Sequence, residues 1–325
     1  MKKKTAWILL TIILCVTLLA CVGCGAKEDG RKKIVVTIFP VYDWVMNVLG
    51  DKASDFSVTL LLDSGADLHS YNPSVADMVA VAEADLFLYV GGESDKWVPD
   101  ALKNKKNKNM HTMDLLALLG DKAKEEEIVE GMEHEEEEEE EDGEEVEYDE
   151  HVWLSLRNAA LYVDLIERQI AAVDPENAET YAANAAAYVA RLNALDARYA
   201  ETVAASPRDT ILFGDRFPFR YLVEDYDLKY YAAFVGCSAE TNASAKTKAF
   251  LVGKADELAL KVILKIESSS TEIAESIKSQ TASKDQQILV LDSLQSATKK
   301  EYAGGRTYLA VMESNLSVLQ QALAA

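Results

Sequence analysis

Residues 58–82 read VTLLLDSGADLHSYNPSVADMVAVA. The run 58–62 is apolar and has the length of a buried strand. A polar stretch follows, and Pro73 suits the first turn of a helix. Val75, Met78, Val79 and Ala82 give that helix an apolar face. Working outward, the pattern repeats. Residues 34–39 form a β-branched run ended by Pro40, and 41–49 have helical spacing. Residues 86–90 make a third strand, closed by Gly91 and Gly92. Strands alternating with helices predict a parallel α/β sheet. His69 then lies in the loop after a strand, at the carboxyl edge where such sheets bind ligands.

The second half has the same grammar. Strand candidates are 210–213, 230–234, 262–266 and 288–291, each followed by polar residues. Asp215, Glu240, Glu267 and Asp292 therefore share one position, the carboxyl end of a strand. Each alone reads as a helix cap or a loop carboxylate; together they mark a candidate cleft. Between the halves, 158–172 is one helical stretch, and Asp174-Pro175-Glu176 restarts the helix. Tyr181, Ala185, Tyr188, Leu192, Leu195 and Tyr199 recur at spacings of four and three, with no breaker before Pro207. About thirty residues at 1.5 Å each give a rod of roughly 45 Å. Its alanine-rich stripe lacks sustained heptads, so it packs against two domains rather than forming a coiled coil.

The 325 residues suit two domains, and 49% hydrophobic content is enough for real cores. The net charge of −22 argues against nucleic acid as a partner. That acidity is local. Residues 133–150 hold fourteen Asp or Glu and no Lys or Arg, which leaves −8 for the rest of the chain. The stretch 133–153, EHEEEEEEEDGEEVEYDEHVW, has two readings. It is an acidic solubilising insert, or it concentrates cations next to the imidazole of His151, where it ends. His134 sits inside the run, and His111 reads as structural or exposed.

The chain begins with Lys2, Lys3 and Lys4, followed by an apolar run over 7–20, which reads as a signal peptide. It ends Leu18-Leu19-Ala20-Cys21, which resembles a bacterial lipoprotein box with Cys21 as the acylated residue. Cys24 is a second candidate. Residues 25–33 read as a polar tether, and the remaining cysteine usage is no disulfide framework.

Residues 65–73, Gly-Ala-Asp-Leu-His-Ser-Tyr-Asn-Pro, resemble the first ligand motif of the zinc- and manganese-binding lipoproteins that feed ABC importers. Residues 148–154, Tyr-Asp-Glu-His-Val-Trp-Leu, resemble their second. The lipobox, the charged loop before the second motif and the long helix after Asp174-Pro175 fit the same family. The resemblance spans essentially the whole mature chain. It implies an α/β fold of two lobes, each a mostly parallel sheet flanked by helices. One long rigid linker helix joins them, with metal held in the cleft between.

Zinc-binding members have a His near the end of the strand at Ile211; this chain has Gly214-Asp215, with Asp215 the neighbouring carboxylate. Asp292-Ser293-Leu294 resembles the family's final Asp-Pro-Leu motif, with Ser in place of Pro. Cys237 and Glu240 fall in the second cleft segment. A thiolate at Cys237 would favour zinc if it pointed inward; a lone cysteine beside a strand is otherwise simply buried. The resemblance thus implies His69, His151 and Asp292 as metal ligands; the place of the missing family His falls to Glu240 or water ahead of Asp215, whose Asp-Arg-Phe-Pro motif is otherwise structural.

The expected organisation is a signal peptide over 1–20, a lipidated tether over 21–33 and a first lobe over 34–173 that carries the acidic loop. A linker helix over 174–205 and a second lobe over 206–325 follow. The function implied is a monomeric, extracytoplasmic, lipid-anchored receptor that captures a divalent metal, zinc foremost, and delivers it to an ABC permease. Manganese as the cargo is the alternative, as is a surface adhesin with a structural metal. No general base or catalytic spacing stands out, so an enzyme that activates water on the same cluster ranks below the receptor.

Overall fold

The structure, a computed structural model, describes residues 30–132, 147–238 and 242–324. Cys21, Cys24, His134, most of the acidic run and Glu240 lie outside the described residues. The chain divides into two units, Met1–Lys32 and Lys33–Ala325, and the second carries both hydrophobic cores.

The first half alternates as its hydrophobic pattern predicts. Strand β1 (Lys32–Val36) leads into helix α1 (Phe39–Leu49), β2 (Phe56–Leu60), α2 (Val75–Ala82) and β3 (Leu86–Tyr89). Then come α3 (Val98–Lys103), β4 (His111–Asp114) and α4 (Leu115–Leu119). The sheet order is β2-β1-β3-β4, with β1–β3 and β3–β4 parallel and Ile34 opposite Leu86. Ile34, Val35, Val36, Leu86, Phe87 and Leu88 are all buried. Such continuous apolar runs are what a parallel strand covered on both faces requires. Pro40 does not end a strand but sits in the first turn of α1, where its missing N–H costs nothing.

Two details of the opening stretch differ from the sequence reading. Helix α2 starts at Val75, capped by a reciprocal Ser74–Asp77 box, so Pro73 lies just outside it. Val75 and Val79 are exposed, while Val81 and Ala82 are buried. The inward stripe is therefore rotated from the expected one: the Val75/Val79 pair shares the solvent side, because i and i+4 lie one above the other.

Helices α5 (Leu156–Val173) and α6 (Ala178–Ala205) follow, joined by a 3-10 turn (Pro175–Asn177). The long helix α6 buries Tyr181, Ala185, Tyr188, Leu192, Leu195 and Tyr199. Its first turns face the first half: Asn184 Nδ2 donates to Val48 O at 3.0 Å and Tyr188 Oη to Asp43 Oδ2 at 2.8 Å. Its last turns face the second half, where Tyr199 Oη donates to Met312 O at 2.6 Å.

The second half contains β5 (Thr210–Leu212), β6 (Arg216–Phe217), α7 (Arg220–Asp225), β7 (Lys229–Tyr231), β8 (Phe234–Val235) and α8 (Ala245–Glu257). It continues with β9 (Val262–Lys265), α9 (Glu272–Gln280), β10 (Gln287–Val290), α10 (Lys299–Ala303) and α11 (Tyr308–Ala322). The pairs β5–β7, β6–β8 and β9–β10 are parallel. A parallel bridge from Phe213 to Leu264 joins the first and last of these ladders. The expected strand over 230–234 is two short strands in different ladders. Ala233 N is drawn onto Asp215 O at 3.0 Å, which turns the chain from β7 into β8.

The larger core runs from β1 and α1 through α5 and α6 to α11, and a smaller one forms between the second half's strands and α8 and α9. Trp44 stacks on Tyr162 and meets Tyr308 edge-on; truncating it to Ala would cost about 3–5 kcal/mol. Among the described residues, no helix is long and apolar enough to cross a membrane.

Candidate metal centre

His69 is placed by a local device. Asp67 caps the 3-10 turn Leu68–Ser70, accepting from His69 N at 3.1 Å. The other Asp67 oxygen pairs with Arg216 from the second half. The His69 ring is then fixed from behind, with Nδ1 2.9 Å from Ser94 Oγ and 3.7 Å from Glu150 Oε2. Burial, followed by the nearby His151 and Arg216, holds its pKa well below the ordinary imidazole value, which keeps the ring neutral and a competent ligand.

His151 is wholly buried. The segment before it is clasped by an antiparallel bridge between Glu125 and Tyr148, and Asp149 N donates to Lys124 O at 2.8 Å. The Asp149 Oδ1 atom accepts from His151 N at 2.8 Å and faces His151 Nδ1 at 3.0 Å. A carboxylate cannot donate, so Nδ1 carries the proton and Nε2 presents its lone pair forward. After His151, Trp153 Nε1 donates to Ser293 O at 2.9 Å, and Tyr308 Oη donates to Trp153 O at 2.7 Å. The second motif is thus pinned to the second half.

The result is two imidazoles held at Nδ1 with their Nε2 atoms 3.1 Å apart. Carboxylate–imidazole support of this kind orients metal-ligating histidines. Cys237 is the third member: one ligand atom each of His69, His151 and Cys237 lies within 4.8 Å of the others. Its N–H donates to Glu126 Oε1 at 3.2 Å. Burial, then Asp149, Glu126 and Glu150, push its thiol well above the usual value. Glu150 is itself buried, with Oε1 accepting from Ser94 N at 2.8 Å and Oε2 without a hydrogen-bond partner. Burial raises its carboxyl above the ordinary range, against the pull of the Ser94 bonds.

The carboxylates sit differently. Asp215 accepts from Arg216 N at 2.8 Å, Ile266 N at 2.9 Å and Ser269 Oγ at 2.9 Å, so it braces two loops. Asp292 accepts from Arg306 Nη2 on both oxygens at 2.9 Å and from Leu294 N at 2.9 Å. Glu267 accepts from Ser293 N at 2.7 Å and from its hydroxyl. His111 Nδ1 lies 3.0 Å from Gln169 Oε1, a structural contact. A cleft of about 350 Å³, lined by Asp67, His69, Asp215, Arg216 and the Ser268–Ser270 turn, opens beside His69. Ser94 escaped the sequence reading, since nothing in its local pattern marks it and only the fold brings it behind His69; Glu150 lies inside the second motif but has no role of its own in that reading.

This arrangement has relatives. The family model for the periplasmic component A of a zinc-uptake complex, ZnuA, matches residues 34–322. The zinc-binding lipoprotein AdcA of Streptococcus pneumoniae is 33% identical over 99% of the chain, which spans 61% of that relative's length. The high-affinity zinc uptake system protein ZnuA of Bacillus subtilis is 31% identical, over 93% of this chain and 90% of that protein. The solved Zn(II)-bound ZnuA-like domain of Streptococcus pneumoniae AdcA superposes with a TM-score of 0.70 at 29% identity, covering 91% of this chain and 100% of that one. With the family model covering nearly all of Lys33–Ala325, the chain belongs to the ZnuA family.

Proposed function

We propose that this chain is an extracytoplasmic solute-binding lipoprotein. It captures a divalent transition metal, zinc foremost, and hands it to an ABC permease without chemical turnover. The observation that carries this reading is the His69–His151 pair, with Nε2 atoms 3.1 Å apart and each Nδ1 held by a side chain. A tetrahedral zinc with Zn–N near 2.0–2.1 Å places two imidazole nitrogens about 3.3 Å apart, so the pair needs little movement to close on the ion. The names of the relatives, zinc-binding lipoprotein and zinc uptake protein, favour zinc over manganese as cargo.

In this reading His69 and His151 are the primary ligands, and Glu240 or water occupies the outermost position. Asp215 lines the cleft beside His69, and Asp292 is held by Arg306. Two lobes, 34–173 and 206–325, are joined by the linker helix over 174–205, and Cys21 carries the lipid anchor of a monomer. Competitive zinc titration tests the core of it. His69→Ala and His151→Ala should each weaken binding more than about 100-fold, the upper end for loss of an outer-shell support and a floor for loss of a direct ligand. Unchanged affinity in both variants would remove the receptor reading.

A further inference from the structure

We infer that Cys237 is a direct ligand of the captured metal, so that the site is built from two imidazoles and one thiolate. The inference rests on the receptor reading above. Among the described residues, the group formed by His69, His151 and Cys237 is the one cluster of His, Cys, Asp and Glu whose ligand atoms all lie within 4.8 Å. Tetrahedral zinc with Zn–N near 2.05 Å and Zn–S near 2.3 Å sets N···S at about 3.6 Å. The largest separation in the cluster thus exceeds tetrahedral spacing by only about 1 Å.

The local build supports that role. A Cβ at Gly236 would lie 3.0 Å from His151 Cε1 and 2.9 Å from Phe217 O. Glycine there lets the loop after β8 run against the His151 ring and carry the thiol with it. The loop is held at three points. Cys237 N donates to Glu126 Oε1, Ser238 N to Val235 O at 3.4 Å, and Arg216 Nη1 to Ser238 O at 3.3 Å. The end of β5 cannot supply a ligand at position 214, because a Cβ on Gly214 would meet Ala274 Cα at 2.7 Å. Asp215, next in line, already accepts three hydrogen bonds. The loop of Cys237 is thus the second half's contribution to the cluster.

As the metal–sulfur bond forms, the thiol proton leaves to solvent. The thiolate makes the site prefer zinc, a borderline-soft ion, over manganese, which favours oxygen ligands.

The test is cobalt(II) substitution of the full chain, compared with Cys237→Ser, alongside zinc and manganese titrations. The wild-type cobalt complex should show a near-ultraviolet thiolate-to-cobalt charge-transfer band that Cys237→Ser abolishes. The serine variant should bind zinc at least on the order of 100-fold more weakly, with manganese affinity moved far less. Zinc should also protect Cys237 of the wild-type chain from alkylation, read on its peptide by mass spectrometry, which needs no variant to fold. A wild-type complex that binds cobalt without the band, or a Cys237→Ser chain with unchanged zinc affinity and selectivity, overturns the inference and leaves the receptor reading intact. A wild-type chain that binds neither zinc nor cobalt overturns both.

Discussion

The segments that carry the candidate ligands behave oppositely in the two halves. In the first half, His69 and His151 each fix Nδ1 on a neighbour and turn Nε2 toward the other ring, where a metal can replace the one contact between them. In the second, Asp215 and Asp292 use their oxygens on backbone N–H groups, a serine hydroxyl and a guanidinium. The difference is one of donor capacity. An imidazole has two separate nitrogens, so one can be anchored while the other remains a ligand. A buried carboxylate left without partners would be costly, so its oxygens are drawn into hydrogen bonds. Of the second half's loops, the one that brings a soft, weakly hydrogen-bonding atom to the histidines is the loop of Cys237.

The largest effect that could break this contrast lies at Asp292. If the carboxylate stays with Arg306, Asp292→Ala should leave zinc affinity within about threefold of wild type. It should instead lower stability by about 1–3 kcal/mol, the penalty for leaving Nη2 of the guanidinium unpaired while Nη1 keeps Glu301 at 3.6 Å. A loss of affinity equal to that of His151→Ala, measured by the same titration, would show that Asp292 leaves Arg306 for the metal.

A buried carboxylate braces a strand end in each half, and Asp95 is the one whose titration can be read. It accepts from Val90 N at 2.8 Å and Gly91 N at 3.0 Å. Burial raises its pKa to about 7; the two backbone donors pull against this, and Glu150 and Asp114 add to it. The folded state therefore holds this proton more tightly than the unfolded chain does. The associated stability is fully present below the unfolded value near 4 and is lost as pH rises to about 7. The whole window is worth on the order of 4 kcal/mol. Asp95→Asn should flatten that part of the pH–stability curve in urea unfolding without metal. An unchanged slope would show that Asp95 is ionised throughout.

Arg216 spans the two regions, pairing with Asp67 in the His69 turn and donating to Ser238 O beside Cys237. Arg216→Met should cost about 1.5–3 kcal/mol of metal-free stability, the range for hydrogen bonds to charged groups. Zinc affinity should fall with it, since both ligand loops lose a tether. Stability lost with affinity untouched would separate the tether from the site.

The smallest effect is expected from Trp153→Phe. The change keeps most of the apolar contact and removes the indole N–H bond to Ser293 O. About 0.5–1.5 kcal/mol should be lost in denaturant unfolding. A much larger loss would mean that packing of the second motif, rather than this one link between halves, fixes its position.

Hydrophobic period is local information, which is why the alternation of strands and helices, the long helix with its buried tyrosine and leucine stripe, and the placing of His69 and His151 in strand-end or helix-start loops were all legible in the chain. The histidine motifs carry their own positioning groups, Asp67 two residues before His69 and Asp149 two before His151. The rest of the site was not local. Residues 82 apart bring the two Nε2 atoms together. Asp215 is taken up by Ile266, 51 residues away, and Asp292 by Arg306, 14 away. The carboxylate candidates Asp215, Glu240, Glu267 and Asp292 look alike in sequence because each sits after a strand candidate. Only tertiary packing decides which oxygens meet a donor first, which ring nitrogens meet each other, and that the loop of Cys237 can lie against His151 because position 236 has no side chain.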